Sequence, residues 1–406
     1  MVAGDEGGWW VRRAVLAALA VLGVVTAVFA VVAVRSGDAP AAEEADLGEE
    51  AVSAYTLLAD PTASVAPLRY GRLLVAGQEG APVEHLAGTL PSFEAAMEAG
   101  VDYLEAPVVA SSDGLLVVLP SHDLAVGTDV ASRPDLADRR TTKTVDGQGV
   151  TSWFSEDFTL AELQTLHATE RDPGLRPQTA AESGTVPLLS LDDLLVRLDE
   201  VSAQQSRQIG LVVEPRQAAY FRSIGMPLEK AVAQSLRLGR LNIEPELATV
   251  QSDDPAVLRR VDANLGENVL TSFIVRAGDA GALDADRLAA LPEGVDAVSV
   301  EVAAFEGQDP YALADRVHDA GLALGVFPIS YENARLAPGF RKGTDPAAPG
   351  NLLGQVEGLQ LIGVDLVLTE SPQQVREAIA ALAEGTGEAP TEEPSETPTE
   401  TPTETP

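Results

Sequence analysis

From Arg69 to Ala383, short apolar runs of β character alternate with segments of helical period, and that alternation leaves few architectures open. The runs are Leu73–Ala76, Tyr103–Val109, Leu115–Leu119, Ile209–Val213, Ala248–Gln251, Val269–Val275, Ala297–Val302, Leu322–Phe327 and Val364–Leu368. Between them lie Ser92–Ala99, Leu160–Leu166, Leu191–Val201, Pro227–Leu238, Pro255–Leu265, Pro310–Ala320 and Pro372–Leu382, several opened by a Ser, Asp or Pro start signal. Such alternation predicts a parallel α/β fold, and eight or so units over about 310 residues suit a closed (β/α)8 TIM barrel better than an open sheet. One irregular stretch, Ala125–Ser155, is expected to be an excursion over the barrel mouth.

The flanks differ. Ala14–Val34 is an unbroken run of apolar or small residues, about the ~20 needed to cross a bilayer, so one transmembrane helix is expected to precede the barrel. Arg12 and Arg13 before it, against only Arg35 close after it, place the N-terminus in the cytoplasm and the remainder outside; Trp9 and Trp10 sit where interfacial aromatics belong. A cleaved signal peptide with an exit near Asp38–Ala42 is the alternative. The division expected is an anchor over residues 1–35, an acidic spacer over 36–68, the barrel over 69–383 and a disordered Thr/Pro/Glu tail over 384–406.

A formal net charge of -35 excludes nucleic acid as a partner, because phosphate binding needs clustered Lys and Arg. With no cysteine there is neither a disulfide framework nor a thiolate metal site. The four histidines, His85, His122, His167 and His318, have no zinc-type spacing, and the last two fall in helical patterns.

In a barrel of this kind the chemistry sits at the C-terminal ends of the strands. The polar residues just after the runs are Gln78 and Glu79, Glu105, Ser121, His122 and Asp123, Glu214 with Arg216, Gln251 with Ser252, and Glu370. Glu105 and Glu214 each close an apolar strand. A carboxylate so placed is metal-bound, paired with Arg216 or a neighbour, or solvated, because burying it alone is costly.

Together Gly100–Glu105, Asp113–Leu119, Thr128–Ala131, Asp157–Leu163, Val186–Leu191, Val213–Arg216 and Gly363–Thr369 resemble the glycerophosphodiester phosphodiesterases, in particular their exported bacterial branch. The resemblance implies a phosphodiesterase barrel that hydrolyses a glycerophosphodiester to an alcohol and glycerol 3-phosphate with a divalent cation, Ca²⁺ or Mg²⁺. It also implies particular residues, and several are replaced. The family's His-Arg-Gly falls on Gln78-Glu79-Gly80, so a catalytic His becomes Gln78 and the phosphate-holding Arg becomes Glu79. Its Glu-x-Asp metal pair falls on Glu105-Ala106-Pro107, and its second catalytic His falls on Pro120. Its third metal carboxylate matches Glu214, and a nearby Lys matches Arg216.

Gln78 exchanges no proton near neutral pH and Pro120 has no donor, while losing one positioned proton carrier typically costs on the order of 10²–10⁴ in rate. The expectation is therefore a membrane-anchored extracytoplasmic barrel with impaired catalysis and a weak or lost metal site, acting as a binding or scaffold module for a glycerophosphodiester or another envelope ligand. The alternative is an active phosphodiesterase with a rearranged site using His122, Glu105 and Glu214; separately, His85 is a candidate to lean in from the first loop. A third reading is a glycan or wall-polymer binder with a Glu-lined mouth for a neutral or cationic ligand.

Overall fold

The computed structural model describes residues 68–385, apart from Asp146 and Glu267. The apolar stretch Ala14–Val34, the spacer as far as Pro67 and the tail from Thr386 lie outside the described residues. Among the described residues no helix is long and apolar enough to cross a membrane.

Eight parallel strands form the barrel: β1 (Leu74–Gln78), β2 (Tyr103–Ala110), β6 (Gly210–Pro215), β7 (Ala248–Ser252), β8 (Val269–Val275), β9 (Ala297–Glu301), β10 (Ala323–Ile329) and β11 (Leu366–Thr369). The ring closes because β1 pairs with β11 on one side and β2 on the other. All nine apolar runs are strands, but β3 (Leu116–Val118) lies outside the ring, antiparallel to β2. The reason is length: a parallel crossover takes a dozen or more residues, and only Ser111–Leu115 separate β2 from β3. The excursion carries a second hairpin, β4 (Thr141–Val145) with β5 (Gln148–Ser152).

Two apolar layers follow from the period of two along each strand. One face of the strands fills the barrel with Leu74, Ala76, Tyr103, Val212, Leu270, Leu366 and Leu368. Leu68, which the sequence pattern assigns to the spacer, belongs here at 2% exposure, so the barrel starts one residue earlier than expected. The other face, with Val75, Leu104, Val108, Leu211 and Val213, packs against the helices.

The helix Leu191–Gln205 shows how a helix is cut to that surface. Ser190 caps it by accepting the Asp193 N–H, Asp192 and Asp193 favour its positive end, and Ser206 ends it in the left-handed region. Leu191, Leu194, Leu195, Leu198 and Val201 form one buried stripe, each contributing about 1.5–3 kcal/mol on burial.

The expected helix Leu160–Leu166 stops at Leu163 after its Thr159/Glu162 capping box, and the turn beyond it tightens, with the Thr165 N–H and hydroxyl both donating to the Glu162 carbonyl. His167 is therefore not on a helix but in an isolated bridge with Pro187. His318 does lie on a helix, Pro310–Asp319.

One glycine fixes the end of β1. Gly80 has φ +90°, and a Cβ there would stand 2.5 Å from the Ser92 carbonyl carbon and hydroxyl. Ser92 Oγ in turn accepts the Ala81 N–H at 2.8 Å and donates to the Glu79 carbonyl at 3.0 Å. The turn is thus locked by contacts that admit no side chain. Gly80→Ala is expected to lower stability by about 2–4 kcal/mol, read as a shift of the urea midpoint with unchanged slope.

Candidate functional site

Because side chains alternate, the residues closing the apolar runs on the barrel's inner face converge at one end. Gln78 pairs in register with Glu105, and Pro107 with Glu214. Gln251 closes β7 in the same way. The antiparallel return of β3 then brings the next loop alongside: Leu119 N–H donates to Pro107 O at 3.0 Å, and Arg216 Nε donates to Pro120 O at 3.0 Å. Gln78, Glu79, Glu105, Pro107, Pro120, Glu214 and Arg216, far apart in sequence, thus stand around one mouth.

The electrostatics of this mouth are internally balanced. Glu105 is 1% exposed, and its Oε2 accepts the Glu79 N–H at 3.2 Å. Burial, followed by the charges of Glu214 and Glu79, pushes its carboxyl well above the usual carboxylate range. Glu214 is ion-paired: its Oε1 accepts from Arg216 and, at 2.9 Å, from Arg276, and its Oε2 accepts from the Gln251 amide at 3.4 Å. Pairing with Arg216, one of the three fates open to this carboxylate, is present. Glu79 sits at φ +53° with Oε1 2.7 Å from Arg171 Nη2. Glu79 Oε2, Gln78 Oε1 and Gln251 Oε1 are enclosed without hydrogen-bond partners.

A segment from the excursion side is buttoned across this end. Arg171 holds Glu79, Asp172 meets Arg335 at 2.7 Å, and Arg176, 3% exposed, binds Glu332 at 2.9 and 2.7 Å and also Glu370. Glu182 reaches His85 Nδ1 at 3.1 Å, so His85 is tied to this segment. The sequence pattern did not single out Arg171, Arg176, Arg276, Glu332 or Arg335. Arg276 and Glu332 follow β8 and β10, so the rule that found Glu105 reaches them. Arg171 and Arg176 lie in a stretch with no period at all.

His122 is placed differently from the mouth residues. Its ring is 3% exposed, with Nδ1 3.3 Å from Glu156 Oε2 and the rings of Tyr220, Phe154 and Phe221 at 4.5, 5.1 and 5.7 Å. Burial pushes the Glu156 carboxyl up, but hydrogen bonds from His122, Lys143 and Tyr220 outweigh it and hold the pKa at about 2. The imidazole belongs to a buried polar network and is not presented to a ligand. Asp123 is likewise engaged, by Ser152. Among the described residues no group of three or more His, Asp or Glu is arranged to hold a metal ion.

A family model described as the glycerophosphoryl diester phosphodiesterase family matches residues 79–373. A curated glycerophosphodiester phosphodiesterase of Arabidopsis thaliana is 32% identical over 152 residues, 37% of this chain and 39% of that protein, so the match spans well under half of that relative. A candidate glycerophosphoryl diester phosphodiesterase from Silicibacter pomeroyi superposes with a TM-score of 0.56 at 18% identity, over 78% of this chain and 96% of its own. A phosphodiesterase of Oleispira antarctica, in complex with the product sn-glycerol-3-phosphate, gives 0.51 at 18% identity, over 76% and 96%. At that identity the structural likeness speaks for the fold.

Two outcomes test the balance of the mouth. Since Glu105 titrates above its unfolded value, its contribution is fully present below the unfolded pKa and is lost as pH rises through the folded one. Glu105→Gln is expected to be at least as stable as the parent near pH 7, with an advantage that grows in urea unfolding as pH rises above the ordinary carboxylate range. Arg176→Met, which takes from buried Glu332 its guanidinium and leaves Glu370 only Arg335, is expected to cost about 3–5 kcal/mol by the same measurement.

Proposed function

The chain belongs to the glycerophosphoryl diester phosphodiesterase family, and we propose that in this member the hydrolytic site has become a binding site. The observation that carries the reading is the engagement of the mouth's carboxylates by the protein's own arginines, Arg216 and Arg276 on Glu214 and Arg171 on Glu79. Hydrolysis of a phosphodiester needs a base for the attacking hydroxyl, an acid for the leaving oxygen and positive charge at the phosphoryl group. Gln78 and Pro120 supply neither proton carrier, and Glu79 sets a negative charge where the phosphoryl group would bind. At about 4 Å and an effective dielectric of ~20 that repulsion is very roughly 4 kcal/mol.

The same residues fit a hard cation poorly. Ca²⁺ takes six to eight oxygen ligands and Mg²⁺ six, with carboxylates preferred. Pro107 offers no oxygen from its side chain, Glu105 is driven toward its neutral form, and Glu214 Oε1 is shared by two guanidinium groups. No step is therefore routed through a metal.

In this proposal the stretch Ala14–Val34 anchors the chain in the cell membrane as a single pass, residues 36–67 act as a spacer and the barrel faces the extracytoplasmic side. The partner is a small glycerophosphodiester or another envelope ligand, and nucleic acid is excluded by charge.

The purified chain is expected to give no turnover of glycerophosphocholine or glycerophosphoglycerol above buffer with Ca²⁺ or Mg²⁺, and no melting shift on titration with either ion. Turnover at ordinary rates overturns the proposal. If that turnover also vanished in His122→Ala, the rearranged active site would be the better account.

A further inference from the structure

The stretch Thr169–Thr185, between the excursion and the helix Leu191–Gln205, lies across the mouth without an apolar anchor. It contributes no side chain to either apolar cluster, and its two buried residues are both polar, Arg176 and Thr179. What fastens it is charge. Arg171 meets Glu79 after β1, Asp172 meets Arg335 and Arg176 meets Glu332 after β10, Arg176 also meets Glu370 after β11, and Glu182 meets His85. Two longer hydrogen bonds, from Gln178 to Val83 O and from the Leu86 N–H to Glu182, both at 3.4 Å, add to the attachment.

The two ends of this stretch are pinned to each other. His167 bridges Pro187, the Ala168 N–H donates to Val186 O at 2.8 Å, and the Gly184 N–H donates to Ala168 O at 2.9 Å. Beyond this neck, Ala168 and Leu188 are both in the core. The stretch is also bonded within itself: the Glu170 N–H donates to Ser183 Oγ at 2.9 Å, the Arg176 N–H to Asp172 O at 2.9 Å and the Ala180 N–H to Arg176 O at 3.0 Å. A loop with joined ends and its own internal bonds is an Ω-loop, free to turn as one body about its neck. Lifting it takes no apolar side chain out of the core, which puts it among the parts of the fold that open most readily.

We propose that Thr169–Thr185 is an electrostatically latched strap that opens as a unit and controls entry to the barrel mouth. Opening strands no charge, because Arg176, Glu332 and Glu370 return to water together, unlike the removal of one partner by mutation. The outer pairs set the sensitivity. The side chains of Arg171, Asp172 and Arg335 are 29%, 50% and 34% exposed, so dissolved ions weaken their pairs before the buried ones of Arg176. This goes beyond the binding reading and does not rest on it, since a closed strap bars a substrate as it bars a ligand.

The chain has no cysteine, so two introduced thiols carry spin labels without background. Gln178→Cys on the strap and Glu84→Cys on the first loop are exposed positions, close together through the Gln178 contact with Val83. Glu84→Cys with Ala380→Cys, exposed on the helix Pro372–Gly385, is the control pair. Pulsed electron–electron double resonance is expected to show mainly a short distance between 84 and 178 at about 0.1 M NaCl. A longer population is expected to grow at least about threefold toward 1 M, as the screening length falls from about 10 Å to about 3 Å, while the control pair keeps its distance. Arg171→Gln in the same labelled chain is expected to show the longer population already at about 0.1 M. A distribution unchanged across the salt series overturns the strap, as does one unchanged by Arg171→Gln. Equal lengthening in the control pair overturns it too, since the motion would then belong to the first loop. The salt series decides the matter even if Arg171→Gln fails to fold.

Discussion

The strand β1 is hydrogen-bonded on both sides, to β2 and to β11, and closure of the whole ring runs through its five residues. A closed ring has no free edge and no freedom of register, since a slip of one residue would turn every inward side chain outward. Gln78, Glu105, Pro107 and Glu214 therefore have no choice about where they meet. The turn that follows β1 is held just as tightly, because Gly80 touches the backbone of Ser92. This separates two roles inside one short motif. The glycine is held by packing, while Gln78 and Glu79 before it set the chemistry of the mouth.

Once Glu79 and Glu214 stood in a partly desolvated mouth, something had to compensate them. The compensation comes from distant parts of the chain: Arg171, from the segment beside the excursion, pairs with Glu79, and Arg276 after β8 joins Arg216 on Glu214, while Arg176 and Arg335 serve Glu370 in the same way. Glu105 takes the other route available to a buried carboxyl and favours its proton, since Glu214 and Glu79 both oppose its charge. The mouth thus meets its charges in two ways, by pairing and by raising a carboxyl's pKa.

Much of this was legible from residue pattern because two periods sufficed: apolar runs gave the strands and the 3.6-residue stripe the helices. Gln78, Glu105 and Glu214 were visible as polar residues ending apolar runs. What pattern could not convey was direction and company. The Leu115–Leu119 run looks like any other strand, and only the short Ser111–Leu115 link marks it as a return over β2. His122 looks reactive beside Asp123, yet its surroundings come from Phe154, Glu156, Tyr220 and Phe221, brought together by the fold. Arg171 and Arg176 carry no periodic signal because they bind by charge across the barrel end, where spacing along the chain has no meaning.

The pair between Glu79 and Arg171 has a consequence for how such a chain can vary. An arginine placed at position 79 alone would face the guanidinium of Arg171 at hydrogen-bonding distance, and two like charges there repel. A positive charge at this corner of the mouth would thus require a simultaneous change in a segment 92 residues away in sequence. Neither member of the pair can change sign alone, so two distant stretches of the chain are tied to vary together.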